Sequence, residues 1–295
     1  MPVIEPRRML SELTVREAMR RITASIPAES SLEHAIRCTI KHKINAVLAT
    51  DENLEPVGVV SRTDLMGAYY AGLSIQSPAR LIMSAPPTYC SADDTLDQAL
   101  NIMREKRMHR LYVPGDSSAL GTGVLSYPDI VGLLYRFCHK CERNVQKQRG
   151  PGAADSDLLR VKEVMTMRVR MHDENNTLMQ VMEDLSSHRF GALLITGKSG
   201  VPAGVISKTD LVLAFKHGVP AHACAREVMR TPVRACSQDE ELVLAIREMI
   251  FSDIQRIFVF RENRENIVGV LSLSDAAQAR SGSCRACMPS RIEVL

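Results

Sequence analysis

The sequence predicts a mixed α/β protein of four βαββα units, arranged as two pairs with pseudo-twofold symmetry. Three observations predict it. First, segments recur at a single offset of 146 residues. Val15-Arg16-Glu17-Ala18-Met19 returns as Val161-Lys162-Glu163-Val164-Met165, Gly58–Asp64 as Gly204–Asp210, and Gly123–Asp129 as Gly269–Asp275. Second, each half repeats internally: 65 residues separate Asp64 from Asp129, and Asp210 from Asp275. Third, every repeat alternates apolar and polar stretches in the same order. A unit this small cannot bury both faces of its sheet securely, so pairing is expected.

The elements of a unit follow in order. A short helical turn ends near Met19, Met83, Met165 or Met229. An extended segment comes next, as at Ala24–Ile26 or Arg234–Cys236. An amphipathic helix follows. In the first unit Ser31 is its N-cap, and Leu32, Ala35, Ile36 and Ile40 share one face. Then comes an apolar strand, Ala46–Ala49 or Ile257–Phe260. A polar turn, Asp51-Glu52-Asn53 or Arg261–Asn266, leads to a second apolar strand that ends in a glycine motif. A final helix starts at the motif's Asp. The units span 1–77, 78–141, 158–223 and 224–295. Residues 142–157, charged and then Gly/Pro/Ala-rich, read as a linker.

Composition narrows the function classes. The 37 Lys+Arg against 34 Asp+Glu give a net charge of +3, which does not suggest a polyanion binder. Aromatics are 4% and Trp is absent, which argues against a base-stacking nucleic-acid platform. No apolar run reaches bilayer-spanning length, and Met1–Thr14 lacks a secretory apolar core. The expectation is a cytoplasmic protein without a membrane or nucleic-acid partner. No nucleophile elbow or P-loop is present, so no enzymatic activity is expected.

The motif Gly-hydrophobic-x-Ser-x-x-Asp occurs four times, ending at Asp64, Asp129, Asp210 and Asp275. Glycine permits close approach of a neighbouring chain. The Ser precedes a helix, where its hydroxyl can cap free N–H groups or meet a phosphate. The ionised Asp only accepts hydrogen bonds, which suits a vicinal diol. The same Ser-x-x-Asp is also an ordinary capping arrangement. The first and third copies, Ser61-Arg62-Thr63-Asp64 and Ser207-Lys208-Thr209-Asp210, add a cation and a second hydroxyl. These two are the favoured sites. Arg62 and Lys208 either attract phosphate or point to solvent. A second cationic set, His109-Arg110, His188-Arg189 and Arg256, either reaches a ligand on the partner unit or caps strand ends. Lys41-His42-Lys43 reads as a solvated helix end.

Through these four motifs the chain resembles the CBS-domain family over nearly its whole length, as two tandem pairs, or Bateman modules. The resemblance implies a regulatory, signal-transducing protein that binds AMP, ADP, ATP or S-adenosylmethionine between paired units. It implies that the Asp contacts ribose and that the Ser and its neighbours approach phosphate. The implied residues are Ser61 and Asp64, Ser126 and Asp129, Ser207 and Asp210, and Ser272 and Asp275. It places adenine against the extended segment before the long helix, at Ile26 or, in the second half, His172. An unidentified protein target would read the ligand-dependent arrangement. A homodimer is also compatible with such modules.

Cysteine spacing adds a feature outside the generic CBS pattern. Cys138-His139-Lys140-Cys141 and Cys284-Arg285-Ala286-Cys287 obey the 146-residue offset, each pair starting nine residues after its motif Asp. If the second and fourth units adjoin, Cys138, Cys141, Cys284 and Cys287 supply a four-thiolate set for zinc or an iron–sulfur cluster. Reversible dithiols, a metal shared between chains and unligated thiols are the alternatives. The alternative function is a metal- or redox-responsive scaffold with vestigial nucleotide pockets. Cys90 and Cys236, at corresponding positions, are expected in the core or lining a pocket.

Overall fold

The computed structural model describes residues 13–115, 122–133, 135 and 159–279. Each unit opens with one helical turn: α1 (Val15–Ala18) in the first, and 3-10 turns at Ala79–Leu81, Val161–Glu163 and Ala225–Glu227 in the others. The first unit continues with β1 (Ser25–Pro27), α2 (Leu32–Lys41), β2 (Ala46–Thr50), β3 (Pro56–Ser61) and α3 (Arg62–Tyr70). The second has α4 (Leu96–Glu105), β4 (Arg110–Val113), β5 (Gly123–Ser126) and α5 (127–133). The third has β6 (Met171–Asp173), α6 (Leu178–Ser187), β7 (Ala192–Thr196), β8 (Pro202–Ser207) and α7 (Lys208–Lys216). The fourth has β9 (Ala235–Ser237), α8 (Leu242–Phe251), β10 (Arg256–Phe260), β11 (Ile267–Ser272) and α9 (Leu273–Ala279). No helix among the described residues is long and apolar enough to cross a membrane.

In three units the first strand pairs parallel to the second, and the second antiparallel to the third. Registers repeat with the sequence: Ile26 faces Ala49, and His172 faces Ile195. The second unit differs. Its first strand shrinks to a parallel bridge between Tyr89 and Tyr112, just after Pro86 and Pro87. Proline lacks the N–H that would extend the ladder.

The closing helix also differs from the expected start. It begins directly after the motif Ser in the first and third units, so the Asp is the third helical residue. A Ser N-cap answering a carboxylate three residues on favours this earlier start.

Packing joins the units in two directions. Within a module, the sheets meet through Leu48, Tyr112 and Val124, or through Leu194, Ala235 and Phe258. The motif glycines allow this approach. A Cβ at Gly58 would lie 2.6 Å from Met83 Sδ, and one at Gly204 would lie 2.8 Å from Met229 Sδ. The recurring Met of one unit therefore seats on the motif glycine of its partner.

Between modules, units one and three share a single core, with Leu32, Ile36 and Leu65 joined to Leu178, Leu185 and Leu211. Units two and four share another, with Leu100, Met103 and Ile130 joined to Ile246, Met249 and Ala276. The four units thus form a closed ring in the order one, two, four, three. Cys90 and Cys236 are buried in the second shared core.

Helices α3 and α7 lie side by side on the pseudo-dyad. Tyr69 and Phe215, equivalent under the repeat, stack at 5.2 Å between ring centroids. The Tyr69 hydroxyl donates to the Val219 carbonyl at 2.6 Å.

Candidate ligand-binding chamber

All four motifs fold in the same local way. The strand ends at Ser, the helix begins, and the Ser N–H donates to Oδ2 of the motif Asp. The distances are 2.7 Å at Asp64, 2.9 Å at Asp129, 2.8 Å at Asp210 and 2.9 Å at Asp275. The Ser hydroxyls donate to the same oxygen. The capping arrangement is thus present at every motif, and it holds each carboxylate at the first turn of its helix.

The first and third motifs open onto one cavity of about 610 Å³ at the centre of the ring. That volume lies in the range of small-molecule sites, roughly 300–1,000 Å³. Its walls include Ser61, Arg62, Thr63 and Asp64, and Ser207, Lys208, Thr209 and Asp210. The second and fourth units contribute His109, Arg110, Gln255 and Arg256. Seven Arg or Lys residues line it against three Asp. The chamber carries an excess of positive charge, although the chain is nearly neutral.

The two motifs brace each other. Arg62 Nη1 donates to Thr209 Oγ1 at 2.7 Å, and Lys208 Nζ donates to Thr63 Oγ1 at 2.8 Å. The repeat offset relates these two bonds. Among the described residues neither cation has a carboxylate partner there, and Arg62 Nε is buried with no hydrogen-bond partner. Arg110 Nη1 donates to the Ala46 carbonyl at 3.0 Å. Arg256 lies against Gly191, where any Cβ would collide with its guanidinium.

Crowded cations out of water shift their protonation. Burial, then Arg110, lowers Arg62 to about 10. Burial, then Arg256, lowers Lys208 to about 8. Burial and the nearby Arg256, Lys208 and Arg110 bring His109 to about 4, so its ring is neutral at pH 7. Burial raises Asp64, opposed by the bonds from Ser61 and by Lys208.

A stability prediction follows from Lys208. Its folded value lies below its ordinary 10.5, so between about 8 and 10.5 the unfolded chain holds the extra proton. Lys208 therefore opposes folding fully below pH 8, and this opposition fades as pH rises through that window. Thermal melts from pH 7.5 to 10 should show a rise relative to Lys208→Met. Parallel pH profiles would contradict it.

The remaining predicted residues lie elsewhere. Ser126, Asp129, Ser272 and Asp275 do not line the chamber. Ile26 is buried in the core shared by units one and three. His172 Nε2 sits 3.2 Å from Asp184 Oδ2, and His188 Nδ1 is 2.6 Å from the same carboxylate. His188 and Arg189 do not line the chamber with His109, Arg110 and Arg256. Lys43 pairs with Asp253 at 2.7 Å, linking modules at the chamber edge. Cys138, Cys141, Cys284 and Cys287 lie outside the described residues. Among the described residues no His/Cys/Asp/Glu group could hold a metal ion.

Sequence reasoning missed the residue after each recurring Met. Arg20 Nε contacts Asp129 Oδ1 at 3.0 Å, and Arg230 Nε contacts Asp210 Oδ1. The signal was available: positions 20, 84, 166 and 230 read Arg, Ser, Thr and Arg. Also missed was the Asn45–Gln255 bond of 2.9 Å, which joins units one and four.

A family model described as the CBS domain matches the chain four times, at residues 15–71, 79–136, 161–217 and 225–282. An uncharacterized 33.4 kDa protein in the ribosomal RNA operon of Thermofilum pendens is 23% identical over 183 residues, 62% of this chain and 58% of that protein. The chain thus matches less than two thirds of that relative's length. Among solved structures, protein MJ1225 from Methanocaldococcus jannaschii is described as a candidate archaeal homolog of g-AMPK. It matches with a TM-score of 0.74 and 16% identity, over 90% of this chain and 99% of that one. An uncharacterized conserved protein from Pyrococcus horikoshii matches with a TM-score of 0.58 and 16% identity, over 91% of this chain and 100% of that one. At these identities the likeness to solved structures is one of fold.

Proposed function

The chain belongs to the CBS-domain family, and from that premise we propose that it is a regulatory sensor of adenosine-type ligands that carry phosphate. One observation carries the reading: motif carboxylates face a single chamber whose half-buried Arg62, Lys208 and Arg256 have no carboxylate hydrogen-bonded to them among the described residues. A carboxylate suits the ribose diol, and clustered cations suit phosphate. The same positive field disfavours the sulfonium of S-adenosylmethionine, so AMP, ADP and ATP are preferred. A ligand here touches several units at once. Its differential affinity for their arrangements would shift their populations and alter the surface offered to a protein target.

Asp64→Ala is expected to weaken AMP binding by about tenfold or more, since the ribose loses a charged acceptor. Native mass spectrometry of wild type and variant with AMP reads this directly. Retention of AMP unchanged by Asp64→Ala would overturn the assignment.

A four-cysteine zinc or iron–sulfur site is a second reading with its own support. Helices α5 and α9, which precede the two CxxC pairs, lie in one shared core. Elemental analysis and visible absorption of anaerobically purified protein test it. Metal-free, colourless protein would argue against it.

A further inference from the structure

We infer that Arg20 and Arg230 are specificity-determining residues that close the Asp129 and Asp210 motifs to ribose, leaving Asp64 and Asp275 as the open ones. The inference rests on the adenosine reading above and distributes it among the four motifs.

The four carboxylates can be compared atom by atom. In each, Oδ2 is held by the Ser of its own motif. Only Oδ1 remains for a diol. In Asp129 that oxygen is taken by Arg20 Nε at 3.0 Å, and in Asp210 by Arg230 Nε. In Asp64 and Asp275, Oδ1 has no hydrogen bond or ion pair among the described residues. Asp275 lies within electrostatic reach of Arg256 and Tyr127.

The cause is side-chain length on a fixed backbone. Four equivalent antiparallel bridges place the residue after each recurring Met beside the strand that leads into the partner unit's motif. They pair Arg20 with Val124, Ser84 with Val59, Thr166 with Val270, and Arg230 with Val205. An arginine at that position reaches the carboxylate. Serine or threonine stops short. Open and closed motifs therefore alternate around the ring, with units one and four open and units two and three closed.

Physical chemistry makes the closure effective. Asp129 and Asp210 keep only 13% and 5% of their side chains exposed, so removing the guanidinium leaves a largely desolvated carboxylate. A neutral diol replaces a charge-assisted bond only weakly. Apparent affinity then falls by the fraction of time the arginine is displaced.

Calorimetric titration of AMP into the full chain and four variants tests this. Asp64→Ala should weaken AMP binding by about tenfold or more, while Asp210→Ala should cost clearly less. Arg230→Ser should add a binding equivalent or tighten binding by about tenfold. Ser84→Arg, which places an arginine opposite Asp64, should weaken binding by about as much. The Arg230 side chain is 66% exposed, so its truncation leaves packing intact. Should Asp64→Ala fail to unfold cooperatively, Ser84→Arg carries the same comparison. Weaker binding in Arg230→Ser, or loss of binding in Asp210→Ala, overturns the inference while leaving the adenosine reading standing. No AMP uptake by the wild type or any variant overturns both.

Discussion

Replacing Arg62 and Lys208 together by alanine is expected to weaken AMP binding by about 100-fold or more and to raise the melting temperature of the ligand-free chain. Each cation offers phosphate a charge-assisted hydrogen bond, of order 1.5–3 kcal/mol, and two such bonds multiply to that loss. The rise in stability has the same origin. Both groups are partly withdrawn from water, and each feels a nearby arginine, Arg110 for Arg62 and Arg256 for Lys208. Among the described residues, their hydrogen-bond acceptors are hydroxyl or carbonyl oxygens. An uncompensated buried charge opposes folding, so its removal relieves the folded state. On the proposed reading, binding power is stored here at the expense of stability. Calorimetry and thermal melts of one preparation check both halves. Unchanged AMP affinity together with a lowered melting temperature would mean that the two side chains are structural struts.

Phe215→Ala is expected to destabilise the chain by about 3–5 kcal/mol, the cost of truncating a large buried aromatic. Phe215 is 7% exposed and stacks on Tyr69 across the pseudo-dyad. It belongs to the core shared by units one and three, so the cavity would open at the contact between modules. Urea unfolding with tryptophan-independent detection, by far-UV circular dichroism, measures the loss. The chamber lies at this same contact, so AMP affinity should fall as well. A loss below about 1 kcal/mol would mean that units one and three do not share a core in solution.

Much of the fold was legible because duplication leaves fixed anchors. The 146-residue offset aligned the motif glycines and aspartates, and the order of elements followed from hydrophobic period. Local details yielded less well. The helix at Arg62 starts before the Asp because the Ser–Asp bonds cap it, and the Tyr89 strand is clipped after two prolines. The site was legible only in part. Ser61–Asp64 and Ser207–Asp210 could be listed from the motif, but their meeting across one chamber depends on which units face each other. That choice is made by the α3–α7 contact, which no local pattern encodes. Arg20 and Arg230 escaped notice for a related reason: they act on the motif of the neighbouring unit, more than a hundred residues away for Arg20 and twenty for Arg230. His172 shows the converse. It occupies the place equivalent to Ile26 in the repeat, yet it faces Asp184 of its own unit.

On the proposed reading, the chamber recognises phosphate attached to adenosine. Titrating AMP and adenosine separately into the wild-type chain at one pH and salt concentration tests it most directly. The two ligands share base and ribose and differ only in the group the chamber cations would meet. AMP is expected to bind about 100-fold or more tightly than adenosine. Equal affinities, or no binding of either, would contradict it.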